Sequence, residues 1–554
     1  MDEAASQFAE AVAWTVGGLL LVVAVTGLSR KVGWSAPLVL VAVGVAAAFL
    51  PFTPEVRLEP EVVLVAVLPA LLFAAALQTS YLEVRSRGDS ILALSVGLVL
   101  FSVVVIGFVT YWLLAAVVPG LPVGVGIATG LAFGAILAPT DAVSVSALAG
   151  TGSLPRRLAS LLEGEGLLND ATALVSLNTA LAAIAAPSLG FGSVFFDFGR
   201  AVIGGGAVGV LAAWAIVQVR RRLKAPVLDT SISLASPYVA YLPAAAIGGS
   251  GFLAVVLTGI WLGYRTPSFQ SAESRIAERI NWRTVSFLLE NAVFLLIGLQ
   301  LPAIVQAAAR TDVGFLPGVL IIAAIYLTMV LARFAWVFGA TLLYRFGPER
   351  LRERRWDWRT AIAISFAGVR GVVTLAAVFL LPDSTPALGF LQLAAFVIVV
   401  LSLLQGLAVG PLVRVLRLPL PNPEQDRLQI RNLVAEAQTA AITRLDQESS
   451  ADDPEELVSS LRRSAEYRVL LGTTDEQGLV RQPDAYSRLR LLMLDSERRA
   501  VMEARSDGRY EESVIEAVLG DFDSIEAALK RSYRRDIVRP TPQPTRFRRP
   551  RVRR

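Results

Sequence analysis

Long apolar runs alternate with short polar or Pro/Gly-rich connections through most of the chain. Each run has roughly 20 residues, which as an α-helix crosses a hydrocarbon layer of about 30 Å. The pattern predicts an all-α polytopic membrane protein with about 13 transmembrane helices. The predicted spans lie near 11–28, 35–52, 61–78, 91–117, 121–149, 158–186, 194–219, 229–248, 251–264, 284–306, 314–343, 359–382 and 387–416. The ninth span is short, so we expect it to be tilted or partly re-entrant.

The basic residues of the connections predict the topology. Alternate connections, including 220–224, hold 20 Lys and Arg residues, whereas those between them hold 3, namely Arg57, Arg200 and Arg310. Cytoplasmic loops are the ones that accumulate Lys and Arg. We therefore expect the N-terminus outside and the C-terminus in the cytoplasm, which requires an odd number of spans.

The composition changes near residue 421. We expect residues 1–420 to form the transmembrane domain and 421–537, which are charged and show apolar residues at helical spacing, to form a small helical cytosolic domain. Residues 538–554 are basic and Pro-rich without apolar periodicity, which is typical of a disordered tail. The acidic residues ahead of the first span do not resemble a signal peptide's basic n-region.

Composition excludes several kinds of chemistry. Of the 554 residues, 54% are hydrophobic and 18% charged, and there is no cysteine or histidine. Disulfides, thiolate nucleophiles, zinc–thiolate and iron–sulfur sites all need cysteine, and histidine bases or haem ligands need histidine. Ionisable chemistry near neutral pH then falls to carboxylates or to the few lysines. We expect no cofactor and no nucleic-acid partner.

Seven of the ionisable residues inside the predicted spans are candidates for a function, because an ionisable group at bilayer depth costs several kcal/mol unless it is paired or hydrated. They are Asp141 in the fifth span, Glu163, Glu165 and Asp170 in the sixth, Glu290 in the tenth, Arg333 in the eleventh and Arg370 in the twelfth. Acids opposed by two arginines are what a cation pathway with charge compensation needs.

The sixth span brings its acids to different depths. Asp170 lies roughly 18 Å from the cytoplasmic end of this helix, at 1.5 Å per residue, close to the bilayer midplane. Glu165 and Asn169 are four residues apart and share a face, whereas Asp170 points about 100° away and can face a cavity. Glu163 lies nearer the cytosol, where a helix N-terminus favours an acid, so a structural role is favoured for it.

Two spans contain helix-breaking residues beside a charge. Pro139 precedes Asp141 in the fifth span, and Gly368 and Gly371 flank Arg370 in the twelfth. These positions correspond if spans 1–6 and 8–13 are two inverted six-helix repeats. Matching interrupted segments in inverted halves indicate a transporter with a midplane site. The two charges can neutralise the unpaired backbone ends of the discontinuous helices.

Six segments, in this order, resemble bacterial members of the sodium/proton exchanger branch of the monovalent cation:proton antiporters. The segments are LPALLFAAAL (68–77), APTDAVSVSAL (138–148), EGEGLLNDATALV (163–175), ENAVFLLIGLQL (290–301), LARFAWVF (331–338) and FAGVRGVVTLA (366–376). The resemblance covers about residues 10–420.

The resemblance implies a binding site for cations and protons. In it, Asp170 is the carboxylate that carries a cation or protons, and Asp141 and Thr140 complete the site at the helix crossing. Asn169 matches the asparagine of the family's Asn-Asp pair, which implies electroneutral exchange.

The resemblance also implies roles for the remaining charges. Glu165 and Arg333 form a structural ion pair between the sixth and eleventh helices, and Arg370 compensates the crossing in the twelfth. Glu163 and Glu290 are candidate pathway residues. Three positions depart from the family pattern: Gly166 replaces a common Ser, Ala142 a usual Pro, and Ala74 a Glu found in some members. The Ser hydroxyl that is absent at Gly166 affects the expected ion selectivity more than the expected mechanism.

We therefore expect a secondary active transporter that exchanges Na⁺ or Li⁺ for H⁺, electroneutrally and one to one, by alternating access. Its role would be pH and sodium homeostasis in a bacterial cytoplasmic membrane. K⁺/H⁺ exchange on the same fold is the alternative, and a cation channel is a more distant one. No motif typical of an intramembrane enzyme is present. The family implies a homodimer in the lipid bilayer.

Overall fold

The computed structural model is helical, with no β-strand among its described residues. It describes residues 2–51, 62–79, 81, 88–141, 145, 154–185, 191–311, 313–346, 357–420, 423–449, 453–456, 458–463, 493–497, 501, 522 and 524–526. The chain divides into two compact units, Met1–Leu420 and Pro421–Arg554.

Fourteen main helices of the first unit are described. They are α1 (Asp2–Val32), α2 (Ala36–Ala48), α3 (Val62–Gln78), α4 (Gly88–Val117), α5 (Val123–Leu137), α6 (Arg156–Ala185), α7 (Phe191–Arg220), α8 (Pro226–Ala246), α9 (Gly251–Arg265), α10 (Ala272–Ala309), α11 (Phe315–Phe346), α12 (Trp358–Phe366), α13 (Val372–Val378) and α14 (Leu388–Val415). In the second unit, α15 spans Pro423–Glu448.

The length and surface of these helices suit a bilayer. Among the described residues, 7 helices are long and apolar enough to cross a membrane, and four shorter apolar helices accompany them. Large apolar side chains such as Leu20, Trp112, Ile203 and Phe315 are exposed, as lipid-facing residues are. The prediction of an all-α polytopic membrane protein is confirmed. The count of 13 spans, the inverted repeats and the cytosolic domain remain predictions.

One span differs from its predicted range, and another contains the break that the sequence predicts. Helix α10 begins at Ala272 instead of near residue 284, because Ser271 caps it: the Ser271 Oγ accepts a hydrogen bond from the Ser274 N–H at 3.1 Å. An apolar run misses this start because the first turns are rich in arginine. The twelfth span is divided into α12 and α13, with non-helical backbone between them, as the glycines that flank Arg370 predict.

Small residues allow close helix packing around the site. A Cβ at Gly130 of α5 would overlap the Gly107 carbonyl oxygen of α4, and Gly44 of α2 approaches the backbone of α10 at Gly298 in the same way. Such contacts are typical of membrane helices, whose association depends on close van der Waals packing. Helix α5 also packs against α6, which brings the end of α5 beside the middle of α6.

Candidate functional site

The residues that follow α5 cross the gap between α12 and α13. The Asp141 N–H donates to the Val369 carbonyl at 2.8 Å, so the two interrupted segments meet through their backbones. Gly371 makes this approach possible, since a Cβ at this position would overlap the Asp141 carboxylate. Ala142, one of the departures from the family pattern, lies outside the described residues.

The Arg370 side chain binds backbone carbonyl groups at the C-terminal ends of both interrupted helices. Its side chain donates from Nε to the Leu137 carbonyl at the end of α5, at 2.8 Å, and from Nη1 to the Gly368 carbonyl just beyond α12. The residue is 2% exposed. Carbonyls at helix C-termini carry partial negative charge and lack intrahelical donors. The guanidinium therefore supplies both the missing donors and the opposite charge.

Two polar residues of α14 and one of α11 support this gap. The Ser402 Oγ accepts from the Arg370 backbone N–H at 2.9 Å, and the Gln405 Nε2 donates to the Phe366 carbonyl at 2.7 Å. The Tyr326 hydroxyl donates to the Gln405 Oε1 at 2.6 Å. Sequence reasoning missed these supports, although polar Ser402 and Gln405 stand out within an apolar run.

Glu165 and Arg333 form a two-pronged ion pair between α6 and α11. Arg333 Nη1 lies 2.5 Å from Glu165 Oε1 and Nη2 lies 2.9 Å from Oε2. Both side chains are almost fully buried, at 2% and 3% exposed. Arg333 Nε also donates to the Ile364 carbonyl of α12 at 3.0 Å. The pair thus ties α6, α11 and α12 together.

Thr140 connects the ion pair to Asn169. The Thr140 hydroxyl donates to Glu165 Oε1 at 2.7 Å. Asn169 Nδ2 in turn donates to the Thr140 carbonyl at 2.8 Å and contacts its Oγ1 at 3.1 Å. Asn169 is fully buried, and within the described part of the chain its Oδ1 has no hydrogen-bond partner. A buried amide oxygen without a donor is uncommon, and it is a suitable ligand for a hard cation.

Asp170 follows Asn169 on α6 and is 9% exposed. No hydrogen bond or ion pair to its carboxylate occurs among the described residues. Its carboxylate lies within electrostatic range of Asp141. Glu290 of α10 is half-buried and experiences repulsion from the same Asp141. Asp141 is therefore within electrostatic range of one carboxylate on α6 and one on α10.

The other residues singled out from the sequence lie away from this centre or beside it. Glu163 is exposed on α6, which fits its position near the start of that helix. Gly166 is half-buried on α6, and Ala74 is buried in α3, at 1% exposed.

A second buried ionic cluster was not predicted. Arg220, which the topology argument treats as a loop residue, is 1% exposed at the end of α7. The side chain is not exposed as that of a loop residue usually is, because two acids hold it inside the protein. Its Nε lies 2.7 Å from Asp229 Oδ1 of α8, and its Nη2 lies 3.0 Å from Glu278 Oε1 of α10.

Polar neighbours complete the Arg220 cluster. Gln270 Nε2 donates to Asp229 at 2.8 Å and to Glu278 at 3.0 Å. The Ser233 hydroxyl donates to Glu278 and accepts from Trp282 Nε1 at 2.9 Å. Only the presence of Asp229 at the edge of an apolar run could have suggested this cluster in the sequence. Glu278 lies in the arginine-rich start of α10, which was assigned to a connection.

Comparison with known proteins decides the family. A model of the transmembrane sodium/hydrogen exchanger domain matches residues 18–415. The chain belongs to the sodium/hydrogen exchanger family. This confirms the resemblance seen in the sequence motifs, and it places the chain among cation/proton antiporters, which are transporters and not enzymes.

Individual exchangers resemble the chain over different lengths. The uncharacterized Na⁺/H⁺ exchanger YjcE of Escherichia coli (strain K12) is 31% identical over 93% of this chain and 98% of its own. The sodium, potassium, lithium and rubidium/H⁺ antiporter of Bacillus subtilis (strain 168) is 34% identical over 63% of this chain and 53% of its own. The sodium proton antiporter MjNhaP1 from Methanocaldococcus jannaschii shares the fold, with a TM-score of 0.59 at 20% identity, covering 73% of this chain and 98% of that one.

Proposed function

We propose that this protein exchanges Na⁺ or Li⁺ for H⁺, one to one and electroneutrally, by alternating access. The observation that carries the proposal is the buried Asp170 carboxylate, which has no hydrogen-bond or ion-pair partner among the described residues. A buried carboxylate in that state needs either a bound proton or a bound cation to offset its desolvation. Competition between the two for one carboxylate is the chemical basis of exchange.

Neighbouring oxygens support cation binding at this position. Monovalent cations such as Na⁺ bind hard oxygen ligands. The carboxylate of Asp141 and the Oδ1 of Asn169, which has no hydrogen-bond partner in the described part of the chain, lie on the adjoining segments. The Glu165–Arg333 pair holds Thr140 and, through it, Asn169 in place. If only an occupied site crosses the membrane, the two fluxes are coupled. Asn169 beside a single carrier Asp170 supports one cation per proton.

Potassium is the second candidate cargo. The Bacillus subtilis relative is named for sodium, potassium, lithium and rubidium, and Gly166 lacks the hydroxyl that a smaller cation could use. A channel is less favoured, because charges placed on two interrupted helices fit a site that changes its access.

The setting of the exchanger is also part of the proposal. The distribution of basic residues supports an N-terminus outside and a C-terminus in the cytoplasm of a bacterial cell membrane. The family resemblance supports a homodimer and a role in pH and sodium homeostasis. Residues 421–537 would then form a cytosolic domain.

Proteoliposomes that contain a pH-sensitive dye test the function. With an imposed pH gradient, we expect Na⁺ and Li⁺ to dissipate the gradient in the parent chain whether or not the membrane voltage is clamped. Asp170→Asn should abolish this flux, whereas Asp383→Asn, in the exposed connection before α14, should not. Cation-driven proton flux that persists in Asp170→Asn would disprove the assignment. A response to K⁺ alone would change the cargo and keep the mechanism.

A further inference from the structure

Helix α11 makes a second polar contact with another helix, one turn away from the Glu165–Arg333 pair. Trp336 follows Arg333 by three residues, so the two side chains lie on the same side of α11. The Trp336 indole Nε1 donates to the Ala93 carbonyl of α4 at 2.9 Å. Both α11 residues belong to the segment LARFAWVF, in which only Arg333 has a role so far. The indole thus joins α11 to α4.

The Ala93 carbonyl begins an irregular turn of α4. Ala93–Gly97 form a π-helical turn, in which the Leu98 N–H reaches back five residues to this same carbonyl. The oxygen therefore accepts one donor from its own helix and one from α11, which occupies both of its lone pairs. π-Helical turns are rare and are frequently found at functional sites. The donor from α11 stabilises a turn that a helix by itself seldom keeps.

Helix α4 has a space for the indole beside this turn. A Cβ at Gly97 would overlap the six-membered ring of Trp336, so glycine lets the ring approach the α4 backbone. The Phe101 ring packs against the indole, with 5.3 Å between the ring centroids. The position of Trp336 is therefore fixed by a hydrogen bond and by close packing on the same helix.

The π-helical turn of α4 also packs against α6. Ile91, just before the turn, lies so close to Gly164 of α6 that a Cβ on the glycine would overlap the Ile91 side chain. Gly164 directly precedes Glu165 in the chain. A π-helical turn holds one residue more than an α-helical turn, so its conversion to α-helix would rotate Ile91 by about 100° and shift it by about 1.5 Å. Ile91 would then lose its place against α6.

We propose that Trp336 is a positioning residue for exchange. Its indole N–H holds the π-helical turn of α4, and the turn keeps Ile91 against the segment of α6 that carries Glu165. Glu165 accepts a hydrogen bond from Thr140, whose carbonyl accepts one from Asn169 at the candidate site. This inference rests on the proposed exchange, and membership of the family does not by itself give Trp336 a role.

The affinity for the cation measures the effect on the site. Trp336→Phe removes the donor and keeps an aromatic ring beside Gly97. In proteoliposomes we expect the half-saturating concentration of Na⁺, or of K⁺ if that is the cargo, to rise about threefold to tenfold, the range that one hydrogen bond spans. Trp112→Phe should leave this concentration unchanged, because Trp112 also lies on α4 but is 72% exposed. A loss of folded protein alone would lower only the maximal rate.

Amide hydrogen exchange measures the turn itself and does not require transport. In detergent micelles, the amides of residues 91–98 should exchange at least about tenfold faster in Trp336→Phe than in the parent chain, because local opening becomes easier when a supporting contact is lost. Residues 205–212 of α7 are the internal reference. Trp112→Phe should match the parent in both segments.

Gly97→Ala displaces the indole while its donor is retained, and it replaces Trp336→Phe if that variant does not fold. Alanine normally stabilises a helix relative to glycine, so a rise in the half-saturating concentration would come from the displaced ring. The combined variant should show no more than the larger of the two single effects, because changes that act through one contact are non-additive.

Three results would overturn the role of Trp336. They are a half-saturating concentration in Trp336→Phe within about twofold of the parent, unchanged amide exchange in residues 91–98, and additive effects of the two substitutions. A parent chain without cation-driven proton flux would instead refute the proposed function. Faster amide exchange in residues 91–98 would then still identify the indole as the support of the turn.

Discussion

Replacing Arg333 tests whether the buried ion pair holds the site together. Arg333→Met removes the guanidinium but keeps a side chain of comparable length in the apolar interior. Glu165 then retains only the Thr140 hydroxyl as a donor among the contacts described. Because both partners are at most 3% exposed, water cannot easily replace the lost charge.

The expected loss of stability follows from this burial. Removing one partner of a buried pair typically costs about 3–5 kcal/mol, since the other charge is left uncompensated. Replacing both, as in Glu165→Leu with Arg333→Met, removes the uncompensated charge. It leaves the Thr140 hydroxyl without its acceptor and the Ile364 carbonyl without the Arg333 donor, and an unsatisfied buried polar group costs about 1–3 kcal/mol. We therefore expect the double variant to be more stable than either single variant.

Unfolding of the purified protein in mixed micelles, followed by the fluorescence of its 9 tryptophans, measures the free energy of unfolding. Arg345→Met, an exposed arginine on the same helix, is the control and should change stability by no more than about 0.5 kcal/mol. An Arg333→Met variant within about 1 kcal/mol of the parent would refute the reasoning. Additive losses in the double variant would also refute it, because coupled partners must be non-additive.

Two further substitutions test the crossing and the Arg220 cluster. Gly371→Ala should lower the free energy of unfolding by about 1–3 kcal/mol through overpacking and should slow exchange, because the new Cβ meets the Asp141 carboxylate. Gly339→Ala, where the Cβ enters open space, is the control. Equal effects of the two substitutions would argue against a tight crossing. Arg220→Met should lower the free energy of unfolding by about 3–5 kcal/mol in the same assay, because Asp229 and Glu278 lose their shared counter-charge. An unchanged free energy of unfolding would show that the cluster is hydrated.

Much of the fold was predictable because the bilayer imposes a simple rule on the sequence. A helix that crosses hydrocarbon must be apolar over about 20 residues, so the apolar runs near α4, α7 and α11 identified those helices. The rule fails where a helix leaves the hydrocarbon: the arginine-rich start of α10 was assigned to a connection, although Ser271 begins a helix there. Apolar content alone likewise could not separate α12 from α13.

The residues of the candidate site were also visible in the sequence, because ionisable groups in an apolar run are costly and rarely without a role. The contacts that these residues make with one another could not be predicted from the sequence pattern. The pairing of Glu165 with Arg333 was suggested by family resemblance, and spacing along the chain contains no information about it, since 168 residues separate the two. The Arg220 cluster was not predicted because each of its charged residues lies near the end of an apolar run. At such a position the sequence does not distinguish a buried charged residue from an exposed one.

The sequence by itself thus determined which segments are apolar enough to enter the membrane and which charges enter with them. Those properties depend on the transfer of each residue from water and are local. Only the tertiary structure decided that Arg370 neutralises the end of α5, that Asp170 is without a hydrogen-bond partner among the described residues, and that Arg220 is buried between Asp229 and Glu278. These properties depend on short-range contacts between segments far apart in the chain, which arise only when the helices pack.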